Sequence, residues 1–239
     1  MGGWSDSGGD KWSRLVNDAA ARANFNQNVI SFIQQYGFDG LDLDWEYPKC
    51  WQGDCYAGPD SDREAFAQWI IELKAAFSPY GYLLSAAVSS SSYVIPQAYD
   101  VPTLSAYLDH INLMTYDYHG TWDSATGHVS PLYAAPNDDA TLNSDYTVNY
   151  WISLGADPQK IVMGIPLYGN SYTLANPSNN GLNALFRGGA PGDITGSSGS
   201  LAFSEVCYYV IYEGWTVVRE YPDDMGPYAY SNDQWVRLR

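Results

Sequence analysis

The run Phe38–Pro48, FDGLDLDWEYP, constrains this chain more than any other stretch. Read as one extended strand, side chains alternate with period two. Leu41, Leu43 and Trp45 then face one way, and Asp42, Asp44 and Glu46 the other. The apolar row suits packing under covering helices. The acidic row is what a folded interior avoids, because a buried carboxylate is costly unless paired or protonated. Neighbours in it sit about 6.8 Å apart, close enough to perturb one another's titration. Coupling of this kind raises some carboxyl pKa values, as a general acid near neutrality requires. Two plainer readings stand beside catalysis. The row could be the wet face of an edge strand, the better bet for an arbitrary sequence, or a site for a hard cation. The bracketing Phe38, Trp45 and Tyr47, and helical text on both sides, favour a covered parallel sheet. No D-x-D-x-D-G loop follows, and Pro48 ends the strand just after the last acid.

The rest alternates strand with helix, the rhythm of a parallel α/β sheet. Residues 1–4 read as a strand tail, and Phe25, Val29, Phe32, Ile33 and Tyr36 as the buried stripe of a helix ended by Gly37. Ser61-x-x-Glu64 reads as a capping box, with Phe66, Ile70, Leu73 and Phe77 the stripe behind it. Tyr82–Val88 is a strand, Val101–Leu108 a helix and His110–Tyr116 a strand. A long loop, Asp117–Leu142, is a functional candidate by its length and aromatics. Ser144–Leu154 is a helix and Ile161–Tyr168 a buried strand. After Gly169 the rhythm changes to strand, helix, strand, strand at Ser171–Leu174, Phe203–Tyr212, Trp215–Glu220 and Trp235–Leu238. Gly188–Ser200 is rich in Gly and Ser but lacks the Lys of a phosphate loop.

With 46% apolar residues and 16% charged, the chain has the means for a sizeable core. A formal charge of −16 argues against nucleic acid or an anionic membrane as partner and leaves room for a neutral ligand. No stretch is long and apolar enough to span a bilayer. No signal peptide is read, since Met1 leads straight into Gly-Gly-Trp-Ser-Asp. Three cysteines cannot all pair internally. Cys50 and Cys55, in a loop without a nearby His, suit a small disulfide loop better than zinc, leaving Cys207 over. His110, His119 and His128 form no ligand pattern and read as structural; no metal or cofactor is expected.

Asp39-x-x-Asp42-x-Asp44-x-Glu46 resembles the D-x-x-D-x-D-x-E signature of family 18 glycoside hydrolases, the chitinases and their relatives. Gly40 and the trailing WEYP agree with it, as do GGW at Gly2–Trp4, MTYD at Met114–Asp117 and GIPLYG at Gly164–Gly169. The flavour between these blocks is arthropod, and the resemblance runs over nearly all 239 residues. It implies an α/β fold, an incomplete (β/α)8 TIM-type barrel with strands 3 to 7 present. Residues 1–169 would be the partial catalytic core, and 170–239 an α+β insertion domain walling the cleft. It also implies a secreted protein acting on chitin or chito-oligosaccharides. The chain is expected to lack the first-strand aromatic, the last-strand Trp, and the later cysteine that pairs with one near Cys207. Such a chain, taken alone, is expected to be a damaged barrel with little activity.

Within the resemblance, Glu46 protonates the glycosidic oxygen at the C-terminal end of a barrel strand. Asp44 orients the substrate's 2-acetamido group, whose carbonyl oxygen attacks the anomeric carbon, so no carboxylate nucleophile is required. Asp42 shares a proton with Asp44. Tyr116 and Asp117 hydrogen-bond the acetamido group and the developing oxazolinium ion. Met114 lines the floor, Tyr168 binds substrate, and Trp4 and Trp122 are aromatic platforms, though for any one aromatic read alone a core position is the safer guess. Asp39, of the wrong parity for the acidic row, and Gly40 are structural members of the motif. Asn170 departs from the family, which commonly has Arg there; the change removes a fixed charge and a bidentate donor. Hydrolysis competes with three other readings: a chitinase-like lectin, an endo-β-N-acetylglucosaminidase acting on glycoproteins, and an inert fragment. Glu46 argues against the lectin, and the MTYD and GIPLYG blocks against the glycoprotein enzyme.

Overall fold

The computed structural model describes residues 1–219 and 226–237. Two compact units emerge, Met1–Met114 with Thr147–Met163, and Thr115–Tyr146 with the residues from Gly164 onward. The first contains α1 (Lys11–Asn17), α2 (Ala19–Tyr36), β1 (Gly40–Leu43), α3 (Ser61–Phe77), β2 (Leu83–Val88), α4 (Ile95–Ala98), α5 (Val101–Tyr107), β3 (His110–Leu113), most of α6 (Ser144–Ser153) and β4 (Ile161–Met163). The strands form a parallel sheet in the order β1-β2-β3-β4, with Leu43 opposite Ala86, Val88 opposite Leu113, and Leu113 opposite Met163. Even residues of β1 turn their peptide groups away from β2, and Met1–Gly3 uses them. Met1 N donates to Asp42 O, Asp44 N to Met1 O and Gly3 N to Asp44 O. Five parallel segments in a row, joined by helices, are a partial (β/α)8 barrel.

Aromatic side chains fill the space between the sheet and its helices. Trp45, Trp69, Tyr99, Trp151 and Phe77 are among the largest fully buried side chains, and Trp12 stacks on Trp45 at 5.8 Å between centroids. Two of their polar ends are satisfied, Trp69 Nε1 donating to Asn26 Oδ1 and Trp151 Nε1 to Ser89 O, while Trp45 Nε1 is buried without a partner. Asp18 caps α2 by accepting from Ala20 N and Ala21 N, and Gly37 closes it in the left-handed region at φ 72.

Several expectations change here. The helical text read after a polar loop to about Asp10 is two helices, α1 and α2, broken at Asp18. The α2 stripe is narrower than periodicity suggests: Val29 and Ile33 are buried, while Phe32 and Tyr36 are exposed and pack on each other. The Ser61–Glu64 capping box does not form, because Ser61 is already helical and the N-cap is Asp60, without a side-chain cap bond. β3 stops at Leu113, and β4 is three residues long rather than a buried strand to Tyr168. Val162, Ile165 and Leu167 are 44%, 58% and 77% exposed.

The second unit is built on an antiparallel sheet. β5 (Tyr168–Leu174), β6 (Phe186–Gly188), β7 (Ser200–Ala202), α7 (Phe203–Tyr212), β8 (Thr216–Val218), β9 (Tyr228–Ser231) and β10 (Gln234–Arg237) follow in sequence. The sheet order is β6-β5-β10-β9-β8, with β7 also on β5. Tyr172, Leu174, Ala184, Tyr228 and Trp235 form one of its cores. α7 has the bounds read from the sequence. Expected strands at Trp215–Glu220 and Trp235–Leu238 correspond to β8 and β10, with Glu220 and Leu238 outside the described residues. β6, β7 and β9 were not foreseen; β9 reaches β10 through a two-residue turn with Asn232 at φ 52.

Candidate active site

In the first unit the alternation of the acidic run holds. Leu43 and Trp45 are buried, Asp42 is exposed, and Asp44 and Glu46 are half-buried. The run is not one strand from 38 to 48, however: the ladder to β2 ends at Leu43, and Gly2 bridges Asp44. Beyond it the backbone is held by a loop. Glu46 N donates to Ser7 Oγ at 2.8 Å, Gln52 N to Glu46 O at 2.7 Å and Tyr47 N to Cys50 O at 3.0 Å. The Cys50–Cys55 disulfide closes that loop, and Cys207 is a free thiol. Gln52 Nε2 also donates to Trp4 O at 3.0 Å, beside a Trp4 ring that is 52% exposed. Loop and strand together fix where Glu46 stands.

The three carboxylates differ. Asp42 Oδ1 accepts from Ser85 Oγ at 2.6 Å and Asn112 Nδ2 at 2.8 Å, donors that β2 and β3 bring beside it. Asp44 Oδ1 is buried without a hydrogen-bond partner. Burial first, and the Asp42 charge second, push the Asp44 carboxyl above the ordinary value. Burial, with the Glu46 charge behind it, likewise raises the Tyr47 hydroxyl. Asp39 is exposed, and its carbonyl accepts from Leu83 N at 3.0 Å. A Cβ on Gly40 would collide with the Leu83 carbonyl, so glycine lets β1 and β2 close there. Met114 is half-buried, its N–H donating to Val88 O at 3.0 Å.

The second unit holds the other candidates. Tyr116 and Tyr168 meet edge to face at 6.3 Å between centroids. Asp117 lies between them in sequence and the loop, at φ 55, a conformation uncommon outside Gly, Asn and Asp. Its carboxyl is exposed on one side yet hemmed in enough for desolvation to raise its pKa, against hydrogen bonds from Tyr168 and Asn170. Asn170 is buried and donates through Nδ2 to His119 O at 2.7 Å. Trp122 is 67% exposed. Sequence reasoning took His119 as structural without its two partners, Asp123 and Asp138, which lie four and nineteen residues on. Only the i, i+4 spacing to Asp123 was a signal.

Among the described residues no group of three or more His, Cys, Asp or Glu could hold a metal ion. What the run offers instead is acid–base chemistry: a carboxyl biased toward protonation two residues before a second one.

The chain is 51% identical over 238 residues to probable chitinase 10 of Drosophila melanogaster, covering 99% of this chain and 10% of that protein. Catalytic domain 2 of the Group II chitinase of Ostrinia furnacalis superposes with a TM-score of 0.97 at 54% identity, over 99% of this chain and 62% of that one. Human YKL-39, described as a pseudo-chitinase with retained chitooligosaccharide binding, superposes with a TM-score of 0.88 at 34% identity, over 100% of this chain and 65% of that one. The family model for glycosyl hydrolases family 18 matches residues 1–238, and the chain belongs to that family.

Proposed function

We propose that this chain is an endo-acting chitinase that hydrolyses β-1,4-linked N-acetylglucosamine with retention, by the substrate-assisted route. The observation that carries the reading is Asp44, a half-buried carboxyl with raised pKa and a buried, unpartnered oxygen, two residues before Glu46. An orphaned acceptor is costly, and the acetamido N–H of a bound sugar would satisfy it. Held so, the acetamide carbonyl attacks the anomeric carbon while Glu46 gives its proton to the leaving oxygen. Asp42, held by Ser85 and Asn112, shares a proton with Asp44, whose carboxyl is pushed up by burial first and by the Asp42 charge second. We assign Tyr116 and Asp117 to the acetamido group and oxazolinium ion, Tyr168 and Met114 to substrate contacts, and Trp4 and Trp122 to sugar stacking. Asp39 and Gly40 set the strand.

The similarity to chitinases supports the substrate. Residues 1–169 are proposed as the catalytic core and 170–239 as the insertion domain. A secreted location agrees with the disulfide, and no helix among the described residues is long and apolar enough to cross a membrane. Chitin binding without hydrolysis is the second reading, favoured by the similarity to YKL-39 and opposed by Glu46.

The test is Glu46→Gln, which removes a transferable proton and keeps the shape. Reducing-end release from chitotetraose should fall at least about 100-fold, the scale of general acid catalysis, while chitin pull-down is retained. Equal turnover by both proteins defeats the assignment of Glu46. Pull-down without turnover in the wild type establishes the lectin.

A further inference from the structure

His119 is gripped at both ring nitrogens. Nδ1 lies 3.1 Å from Asp123 Oδ2, and Nε2 lies 2.9 Å from Asp138 Oδ2. The same Asp123 oxygen accepts from Gly120 N at 3.0 Å. One carboxylate oxygen therefore ties the imidazole to the backbone that leads into Trp122. The ring rests on Gly127, where a Cβ would overlap it. Asp138 anchors the other end of the network nineteen residues along the loop.

Trp122 and its neighbour are shaped by contacts of the same kind. A Cβ on Gly120 would overlap the indole, so the Trp122 ring lies on the Gly120 backbone. Thr121 sits in a cradle of two glycines, because a Cβ on Gly189 or Gly199 would overlap its Cγ2 methyl. The Gly/Ser-rich 188–200 stretch thus has a packing role against this turn. An exposed indole is ordinarily free to sample rotamers. This one stands on a turn held by the Gly120–Asp123 hydrogen bond and the Thr121 cradle, with its ring against the Gly120 backbone.

We propose that His119 is a positioning residue: by bridging Asp123 and Asp138 it fixes the Gly120–Trp122 turn and so presents the Trp122 ring as a rigid stacking face for a sugar residue. The substrate side of this inference rests on the function proposed above. A ring ordered before binding costs less entropy on binding, so the gain falls on affinity.

The bridge is strongest with the imidazole doubly protonated, when both nitrogens donate. The Asp138 hydrogen bond leads in raising the His119 pKa against the opposing burial, with the Asp138 and Asp123 charges adding to it. Burial pushes Asp138 up, but the His119 bond and charge win and hold it below the ordinary value. The titratable groups facing the ring are Asp123 and Asp138 of its own loop. On β5, Tyr172 feels the Asp123 charge, and Asn170 meets the His119 carbonyl. For a histidine with raised pKa the contribution is complete below the ordinary value of about 6.5 and fades as pH rises through the raised one. For Asp138 it fades as pH falls through the lowered one. The clamp therefore holds between the lowered Asp138 value and the raised His119 value, and loosens as pH rises through the latter.

The experiment has a structural and a kinetic arm. In the first, the Trp122 indole N–H signal is assigned by Trp122→Phe and followed by NMR from about pH 6 to 9, a window that brackets a histidine raised above its ordinary value of about 6.5. It should titrate in the wild type and stay still in His119→Gln; a signal that ignores pH in the wild type overturns the proposal. In the second, His119→Gln and Asp123→Asn should each raise KM for chitotetraose about ten-fold, the scale of one charge-assisted hydrogen bond. Their kcat should move less than KM, and the pH dependence of KM should flatten. Adding His119→Gln to Trp122→Ala should cost nothing further, whereas additive losses overturn the proposal. If the wild type neither binds nor cleaves chitotetraose, the functional reading fails while the indole titration still decides the role of His119. Asp123→Asn, and the wild-type titration itself, cover a His119→Gln protein that does not fold.

Discussion

Asp62 and Asp44 are two carboxylates of the first unit with opposite fates. Asp62 is fully buried and accepts four hydrogen bonds, from Ser13 Oγ, Asn17 Nδ2, Lys49 N and Trp51 Nε1. It pins α1 and the disulfide loop to the start of α3. Asp62→Ala strands four donors, and we expect a loss of about 3 kcal/mol, or about 10 °C in Tm, by thermal melting. Asp44 has the reverse problem, an acceptor without a donor. Its raised pKa means the folded state holds more protons than the unfolded one, so stability declines as pH climbs from the ordinary carboxyl value through the raised one. Asp44→Asn should therefore melt about 2–4 °C higher than wild type at pH 7, with the gap closing near pH 3. Its hydrolytic activity should fall. A mutant that melts lower at pH 7 contradicts that account. Asp44 was legible because a signature ran through it. Asp62 was not, since its partners lie 11 to 49 residues away and only folding gathers them.

Among elements, β1 shows what a local pattern can and cannot carry. The facing of Leu43, Trp45, Asp42 and Asp44 follows from period two alone, and the structure keeps it. The length of the strand does not follow: β1 pairs with β2 only as far as Leu43, opposite Ala86, although β2 itself runs on to Val88. Gly40 has a steric reason that no spacing rule reveals. Gly40→Ala drives a methyl into the Leu83 carbonyl, and we expect about 1–3 kcal/mol of destabilisation in a urea melt, as for other overpacked sites. Loss of less than about 0.5 kcal/mol would show that the strands part freely at this end. α7 was legible to the residue. Three-residue strands such as β6 and β7 were not, being too short for any period to repeat and set in Gly- and Ser-rich text. The capping box misled for a related reason: a four-residue motif fits by chance, and Ser61 already lies inside the helix it seemed to start.

On the scale of the whole molecule, the chain spans 62% of the Ostrinia catalytic-domain chain and 10% of the Drosophila protein. Large apolar side chains are exposed at Phe32, Tyr36, Phe38, Ile165 and Leu167. Surfaces of that kind associate. We expect the isolated chain to grow in apparent mass with concentration in light scattering. Joined to the flanking segments of a related catalytic domain, it should stay monomeric and cleave chitotetraose faster. Equal turnover by the two would refute the importance of those segments. The order of the second sheet has a consequence during synthesis. β10 lies between β5 and β9, and Gln234 pairs with a threonine 61 residues earlier. On a ribosome β5 emerges first, takes β6 and β7 as they follow, and waits for the strand that fills the middle of the sheet. Translation paused within residues 203–233 leaves that edge bare, so a nascent-chain chaperone should engage this chain late and at β5.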